Sequence, residues 1–202
     1  MSTGVFVPVK SMKQFEFMTS KFCCVFDVEI TNIFAKSENE NPISVSKCFV
    51  KENVSENNGR LVCAKKICMT ITEIDYKVFS QFYTWEQIRI GRMICYRKEY
   101  LPTEFVESIL HLYEMKTKLK GVKGKEVEYL NSKEMLNSCY GMCVTNPLRD
   151  EILCDGENWD VEHLTGEKQL EMLNKYNDSK NRFLFYPWGI YVTAYARRNL
   201  FT

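Results

Sequence analysis

The chain has 202 residues, 45% of them apolar and 26% charged, and 27 Lys and Arg against 26 Asp and Glu leave a formal net charge of +1. That length and composition suit one ordinary globular domain or two small ones, and exclude disordered or collagen-like structure. The charge balance carries no overall sign of a nucleic-acid partner, no stretch of about 18 apolar residues offers a membrane span, and MSTGVFVPVK shows no secretory signal, so a cytoplasmic protein with no membrane partner is expected.

Residues 11–20 read as a short amphipathic helix. Residues 22–31 (FCCVFDVEIT) partly alternate and are β-branched and aromatic, which predicts a strand. Residues 36–59 are polar and Asn-rich and read as an exposed loop with one short strand. One or two strands follow at 60–71. Thr72 caps a short helix, with Asp75 at the third position of a weak capping box. Residues 87–97 alternate again as a strand. Pro102 then suits a first helical turn, and the helix runs over 102–118. Phe105, Ile109 and Leu112 share one face, with Val106, Leu110 and Tyr113 beside them. GVKG at 121–124 breaks this helix, a second follows from about Lys125 to Met142, and Asn146-Pro147 ends the unit. Two helices across a short Gly-containing link predict an antiparallel hairpin. Beyond it come a strand at 149–154, a helix near 165–175, a turn at 177–181 and a helix from Trp188 to Phe201.

The cysteines are nine, an odd number, with no secretory signal, so a disulfide framework is not expected. There is no C-x-x-C, and Cys139 and Cys143 find only His111 and His163 as histidine companions, so no metal site is expected in the chain. Reduced, mostly buried thiols are the plain reading.

The informative stretch is Lys133-Glu-Met-Leu-Asn-Ser-Cys-Tyr-Gly141. On a helix, Lys133, Asn137, Tyr140 and Gly141 fall within about 100° of one another. Met135, Leu136, Cys139, Met142 and Cys143 group away from them and can pack. The polar face suits a nucleotide: Lys neutralises a triphosphate, Tyr stacks near a base or sugar, Asn hydrogen-bonds, and Gly leaves room for a base pair. The alternative is a plain solvated helix face. A basic run, Lys116, Lys118, Lys120, Lys123 and Lys125, has no acid among residues 116–125. It reads as a solvated hairpin tip or as a rim facing phosphates. Lys116 continues the Phe105–Ile109–Leu112 face and should point toward the partner helix.

Residues 101–147 resemble the fingers of family B DNA polymerases, most closely the protein-primed phage and plasmid type. The motif K-x-x-x-N-S-x-Y-G of that family is matched by Lys133, Asn137, Ser138, Tyr140 and Gly141. Tyr186 to Arg197 (YPWGIYVTAYAR) looks like the palm helix that follows it. The resemblance implies an α+β fold: an antiparallel palm-like sheet with packed helices and a projecting two-helix fingers hairpin. It divides the chain into a palm segment with a terminal-protein-region-like insertion (1–100), the fingers hairpin (101–147), and a second insertion-like segment with a palm helix (148–202). It implies nucleotidyl transfer from a dNTP to a primer 3′-hydroxyl, with Mg²⁺ as cofactor. Lys133, Asn137, Tyr140, Gly141 and Lys116 would bind the nucleotide, and Thr193 and Arg197 would hold DNA. Primer–template DNA, dNTP, a terminal protein and the remainder of the polymerase are the implied partners.

The metal-binding motifs of that family, D-x-x-S-L-Y-P and D-T-D-S, are absent from this sequence. The chain begins where the first would end and stops where the second would begin. An internal piece or split product of a polymerase, with no catalytic residue of its own and inactive alone, is therefore the expectation. A non-catalytic DNA- or nucleotide-binding module and a protein-interaction module are the rival readings. Asp27 and Glu29 form a D-x-E triplet of the kind that opens a proofreading exonuclease, but on a strand they share one face and read as solvent-facing carboxylates.

Overall fold

The computed structural model describes residues 4–156, 158–180 and 186–201. They form two compact units. The first is Met1–Leu101 with Tyr191–Thr202, and the second is Pro102–Ile190.

The first unit is an antiparallel sheet with two short helices. Its strands are β1 (Val5–Val7), β2 (Cys23–Ala35), β3 (Val50–Glu52), β4 (Ser55–Asn57), β5 (Arg60–Thr72) and β6 (Tyr83–Tyr96). They lie in the order β1-β6-β2-β5-β3, with β4 also pairing with β5. The helices are α1 (Met12–Lys21) and α2 (Glu73–Phe82). The expected α+β class with an antiparallel, palm-like sheet is found.

Alternation builds the core. Cys24, Phe26, Val28 and Ile30 of β2 are buried, while Val25, Asp27, Glu29 and Thr31 between them are half-exposed. At Asn32 the backbone turns left-handed (φ 48°), the alternation slips by one residue, and Ile33 is buried next. Asparagine tolerates that conformation, so the strand continues to Ala35 instead of ending at Thr31 as its sequence predicts. Phe15 of α1 sits edge-on to Phe26 at 5.0 Å and to Tyr76 at 5.2 Å. Tyr83 is buried, and its hydroxyl donates to the Leu61 carbonyl at 2.9 Å.

β6 begins at Tyr83, directly after α2, four residues before its alternation is readable. The 36–59 segment holds two short strands, β3 and β4, where one was expected. On the half-exposed side of the sheet, Asp27 accepts from the Thr70 hydroxyl at 2.6 Å and lies 3.6 Å from Arg92. Glu29 pairs with Lys66 at 2.9 Å. The two carboxylates are thus sheet ladder partners, as the solvent-facing reading expects.

The second unit opens with α3 (Thr103–Leu119) and α4 (Glu126–Val144), which pack on each other as a hairpin. Pro102 sits just before the first turn of α3 instead of within it, and its carbonyl accepts from the Phe105 amide. Gly121 (φ 77°) and Gly124 (φ 80°) make the link, a conformation that side chains with a Cβ resist. Then come the hairpin β7 (Glu151–Cys154) and β8 (Trp159–Glu162), helix α5 (Gly166–Asp178), and the start of α6 (Tyr186–Phe201). The last helix begins in the second unit and ends in the first. β8 was not expected, and Asn181 of the expected turn lies outside the described residues.

All nine cysteines are free, and Cys24, Cys48, Cys68, Cys95 and Cys143 are buried, as reduced thiols should be. No helix among the described residues is long and apolar enough to cross a membrane.

Candidate functional site

The hairpin is built on a seven-residue rhythm. On α3, Phe105, Ile109, Leu112, Lys116 and Leu119 are shielded while the positions between them are exposed. On α4, Tyr129, Ser132, Leu136, Cys139 and Cys143 are shielded in the same way. Steps of three and four are the seam of two packed helices. Lys116 therefore stands on the seam, as its spacing predicts, with its ammonium 5.6 Å from the Tyr113 ring centre.

The apolar side of α4 is narrower than its sequence suggests. Met135 and Met142 are 58% and 45% exposed, because a two-helix seam covers only a thin stripe and leaves the flanking positions outside. The polar side follows the helical spacing. Lys133, Asn137 and Tyr140 are exposed along one face, with Gly141 half-exposed beside them. The neighbouring acids and lysines pair elsewhere: Lys125 with Glu128 at 2.6 Å and Lys118 with Glu114 at 3.5 Å. Among the described residues Lys133 has no ion pair, and the Asn137 and Tyr140 side chains make no hydrogen bond.

Gly141 has no packing reason to be glycine. A Cβ placed there meets nothing within 4 Å. Gly189 of the same unit is the opposite case, since a Cβ there would overlap Cγ1 of Val144. A glycine inside a helix costs about 1 kcal/mol relative to alanine. At Gly189 that cost is offset by a close helix approach; at Gly141 nothing in this unit offsets it.

Among known proteins, no family model matches the chain, and no curated protein matches it. Solved structures do. Phi29 DNA polymerase complexed with primer–template DNA, a post-translocation binary complex, aligns over 98% of this chain and 30% of that chain, with a TM-score of 0.62 at 14% identity. The same polymerase with primer–template DNA and incoming nucleotides, a ternary complex, aligns over 97% and 30%, with a TM-score of 0.61 at 13% identity. Its orthorhombic crystal form gives a TM-score of 0.56. The chain shares its fold with a segment of phi29 DNA polymerase. It spans about 30% of the length of those polymerase chains.

Thr193 and Arg197, the expected DNA-holding pair, belong to the first unit, and Lys133 belongs to the second. There α6 is fastened to the start of α2. The Tyr191 hydroxyl donates to Glu73 Oε2 at 2.6 Å, and the Cys24 amide donates to the same oxygen at 2.9 Å. Burial pushes the Glu73 carboxyl above the usual carboxylate range, and these two donors oppose that rise. Burial and the Glu73 charge push the Tyr191 phenol up. Arg197 pairs with Asp75, which is 4% exposed at its side chain. Asp75 also closes the capping box, accepting from the Thr72 hydroxyl at 2.9 Å and the Thr72 amide at 3.1 Å.

Thr72 and Asp75 were legible as a cap; that Glu73 and Asp75 anchor a helix more than a hundred residues later was not. Among the described residues, no three His, Cys, Asp or Glu side chains stand close enough together to hold a metal ion. The Mg²⁺ that the resemblance implies thus has no three-ligand cluster among the described residues.

Proposed function

We propose that this chain supplies the dNTP-binding fingers of a DNA-directed DNA polymerase of the protein-primed, family B type. The observation that carries the reading is the α4 face: an unpaired Lys133 in line with Asn137, Tyr140 and a Gly141 that no neighbour requires. Lys133 offers a charge-assisted contact to a triphosphate. Lys116 lends a second cation from the seam. Tyr140 and Asn137 border the new base pair, and the bare Gly141 lets it approach. The likeness of fold to phi29 DNA polymerase in complex with primer–template DNA and nucleotides supports the same partners here.

On this reading the carboxylates that hold the metals, and so the chemistry itself, come from outside the described residues. Thr193 contacts the DNA strand. Arg197 serves first as the anchor of α6 through Asp75, and any DNA contact it makes rests on the motif match. A terminal protein would meet the 36–100 region.

Binding of a fluorescent dNTP to the 202-residue chain tests the proposal. Lys133→Ala should weaken it at least several-fold, as removal of a charged phosphate partner does. Unchanged affinity refutes the nucleotide role of this face. The chain alone should extend no primer.

A further inference from the structure

Lys116 stands on the α3–α4 seam, so its long side chain can leave the seam on either side of the hairpin. The side it takes decides whether it can serve the Lys133 face. The hand of the α-helix fixes where that face lies. Tyr113 stands about 80° beyond the centre of the α3 stripe formed by Phe105, Ile109, Leu112, Lys116 and Leu119. Lys133 stands about 80° beyond the centre of the α4 stripe formed by Tyr129, Ser132, Leu136, Cys139 and Cys143, in the same rotational sense. In two antiparallel right-handed helices, equal rotations from a shared seam lead to one broad face. Tyr113 and Lys133 therefore flank the seam on one side, and Met115, Met135 and Met142 flank it on the other.

The two residues are also level along the hairpin. Tyr113 lies six residues before the end of α3 at Leu119, and Lys133 lies seven after the start of α4 at Glu126. Lys116 is one turn nearer the link.

The Lys116 ammonium is 5.6 Å from the centre of the Tyr113 ring. That is inside the reach of a cation–π attraction, which uses none of the ammonium's hydrogen-bond donors. Val106, Leu110 and Thr117 complete this flank of α3, and none of them is charged. The α4 flank has one acid, Glu126, which stands at the link and accepts from the Gly124 amide at 3.1 Å. Among the described residues Lys116 has no ion pair, whereas Lys118 and Lys125 each have one. The Tyr113 ring is 55% exposed, so it is no part of the seam's packing.

We infer that Tyr113 is a positioning residue for nucleotide binding: its ring draws the Lys116 ammonium out of the seam on the Lys133 side, so that both cations meet one triphosphate. The role rests on the nucleotide reading of the α4 face; the contact between Tyr113 and Lys116 stands without it.

Two measurements on the 202-residue chain test the role. Proton–carbon correlation spectra with labelled lysines read the Lys116 ε-methylene, assigned by its loss in Lys116→Gln. The ring current of Tyr113 should shift this signal upfield of the other lysines. Tyr113→Phe should keep the shift and Tyr113→Leu should abolish it. In titrations with a fluorescent dNTP, Tyr113→Leu should weaken binding about two- to five-fold, the effect of losing an exposed cation–π contact. Tyr113→Phe should bind as wild type does. In a Lys116→Gln background Tyr113→Leu should have no further effect, a coupling that a merely structural role would not produce. Leucine is a good helix former, so the helix is kept.

An unshifted Lys116 methylene in the wild-type chain overturns the role. So does wild-type affinity in Tyr113→Leu. An equal loss with and without the Lys116 ammonium means that the ring touches the nucleotide itself, and overturns it too. A shifted methylene together with unchanged dNTP affinity in Lys133→Ala marks the failure of the nucleotide reading, not of the contact, and removes the purpose of the contact with it.

Discussion

The Arg197 guanidinium meets the Asp75 carboxylate with two hydrogen bonds, Nε to Oδ1 at 2.8 Å and Nη2 to Oδ2 at 3.0 Å. A bidentate pair of this kind, on a carboxylate almost wholly out of water, is worth far more than a surface ion pair. Arg197→Ala leaves a buried, unpaired charge at the start of α2. It should cost about 1.5–3 kcal/mol of stability, the range for hydrogen bonds to charged groups. Arg197→Lys should recover only part, since an ammonium cannot reproduce the fork. Urea unfolding monitored by circular dichroism measures both, and equal stability of Arg197→Ala and wild type would show the pair to be idle.

Glu73 makes stability depend on pH. Its carboxyl is raised by burial, so the folded state keeps a proton there more firmly than the unfolded chain does. Stability from this group is therefore greatest below the ordinary carboxylate range, and it falls as pH rises toward the elevated value. Glu73→Gln keeps an oxygen for Tyr191 and Cys24 and removes the titration. Urea midpoints from about pH 4 to about pH 8 should slope less downward in the variant than in wild type. Parallel curves would mean that Glu73 titrates normally.

Gly141 gives a prediction with two opposite signs. Gly141→Ala meets nothing within 4 Å, so it should stabilise the chain by about 0.5–1 kcal/mol through helix propensity. If the α4 face binds a nucleotide as proposed, the same methyl obstructs it, so dNTP or primer–template affinity should drop. Thermal unfolding and nucleotide titration on one variant read both. A more stable variant with intact binding would mean that the glycine faces only water.

Gly189 should behave in the reverse way. Gly189→Ala forces a methyl into Val144 and should destabilise the protein by about 1–3 kcal/mol, the usual cost of overpacking. Val144→Ala should relieve the clash. A double-mutant cycle on urea midpoints should therefore show a favourable coupling between the two substitutions. Additive effects would place the two residues out of contact.

The hairpin was legible because its information is local. Phe105, Ile109, Leu112 and Lys116 repeat at helical spacing, and the shared face of Lys133, Asn137, Tyr140 and Gly141 follows from that geometry alone. What stayed hidden was either conditional or distant. Asn32 reads as a turn residue, yet in β2 its left-handed backbone is absorbed as an irregularity within a longer strand. Met135 and Met142 read as core, and only the narrowness of a two-helix seam puts them outside. Residue spacing carries no sign of the Glu73 and Asp75 partners, because Tyr191 and Arg197 lie 118 and 122 residues further along.

That distance also has a consequence in time. A ribosome adds about 5–20 residues each second, so roughly 6–24 s separate the emergence of α2 from that of α6. Through that interval the sheet of the first unit exists without its last helix: Glu73 has only the Cys24 amide and water, and Asp75 only its own cap and water, to satisfy it. The second unit, whose helices contact mainly their sequence neighbours, can form within the wait. The nascent chain thus matures from the middle outward, and the first-made half is sealed last.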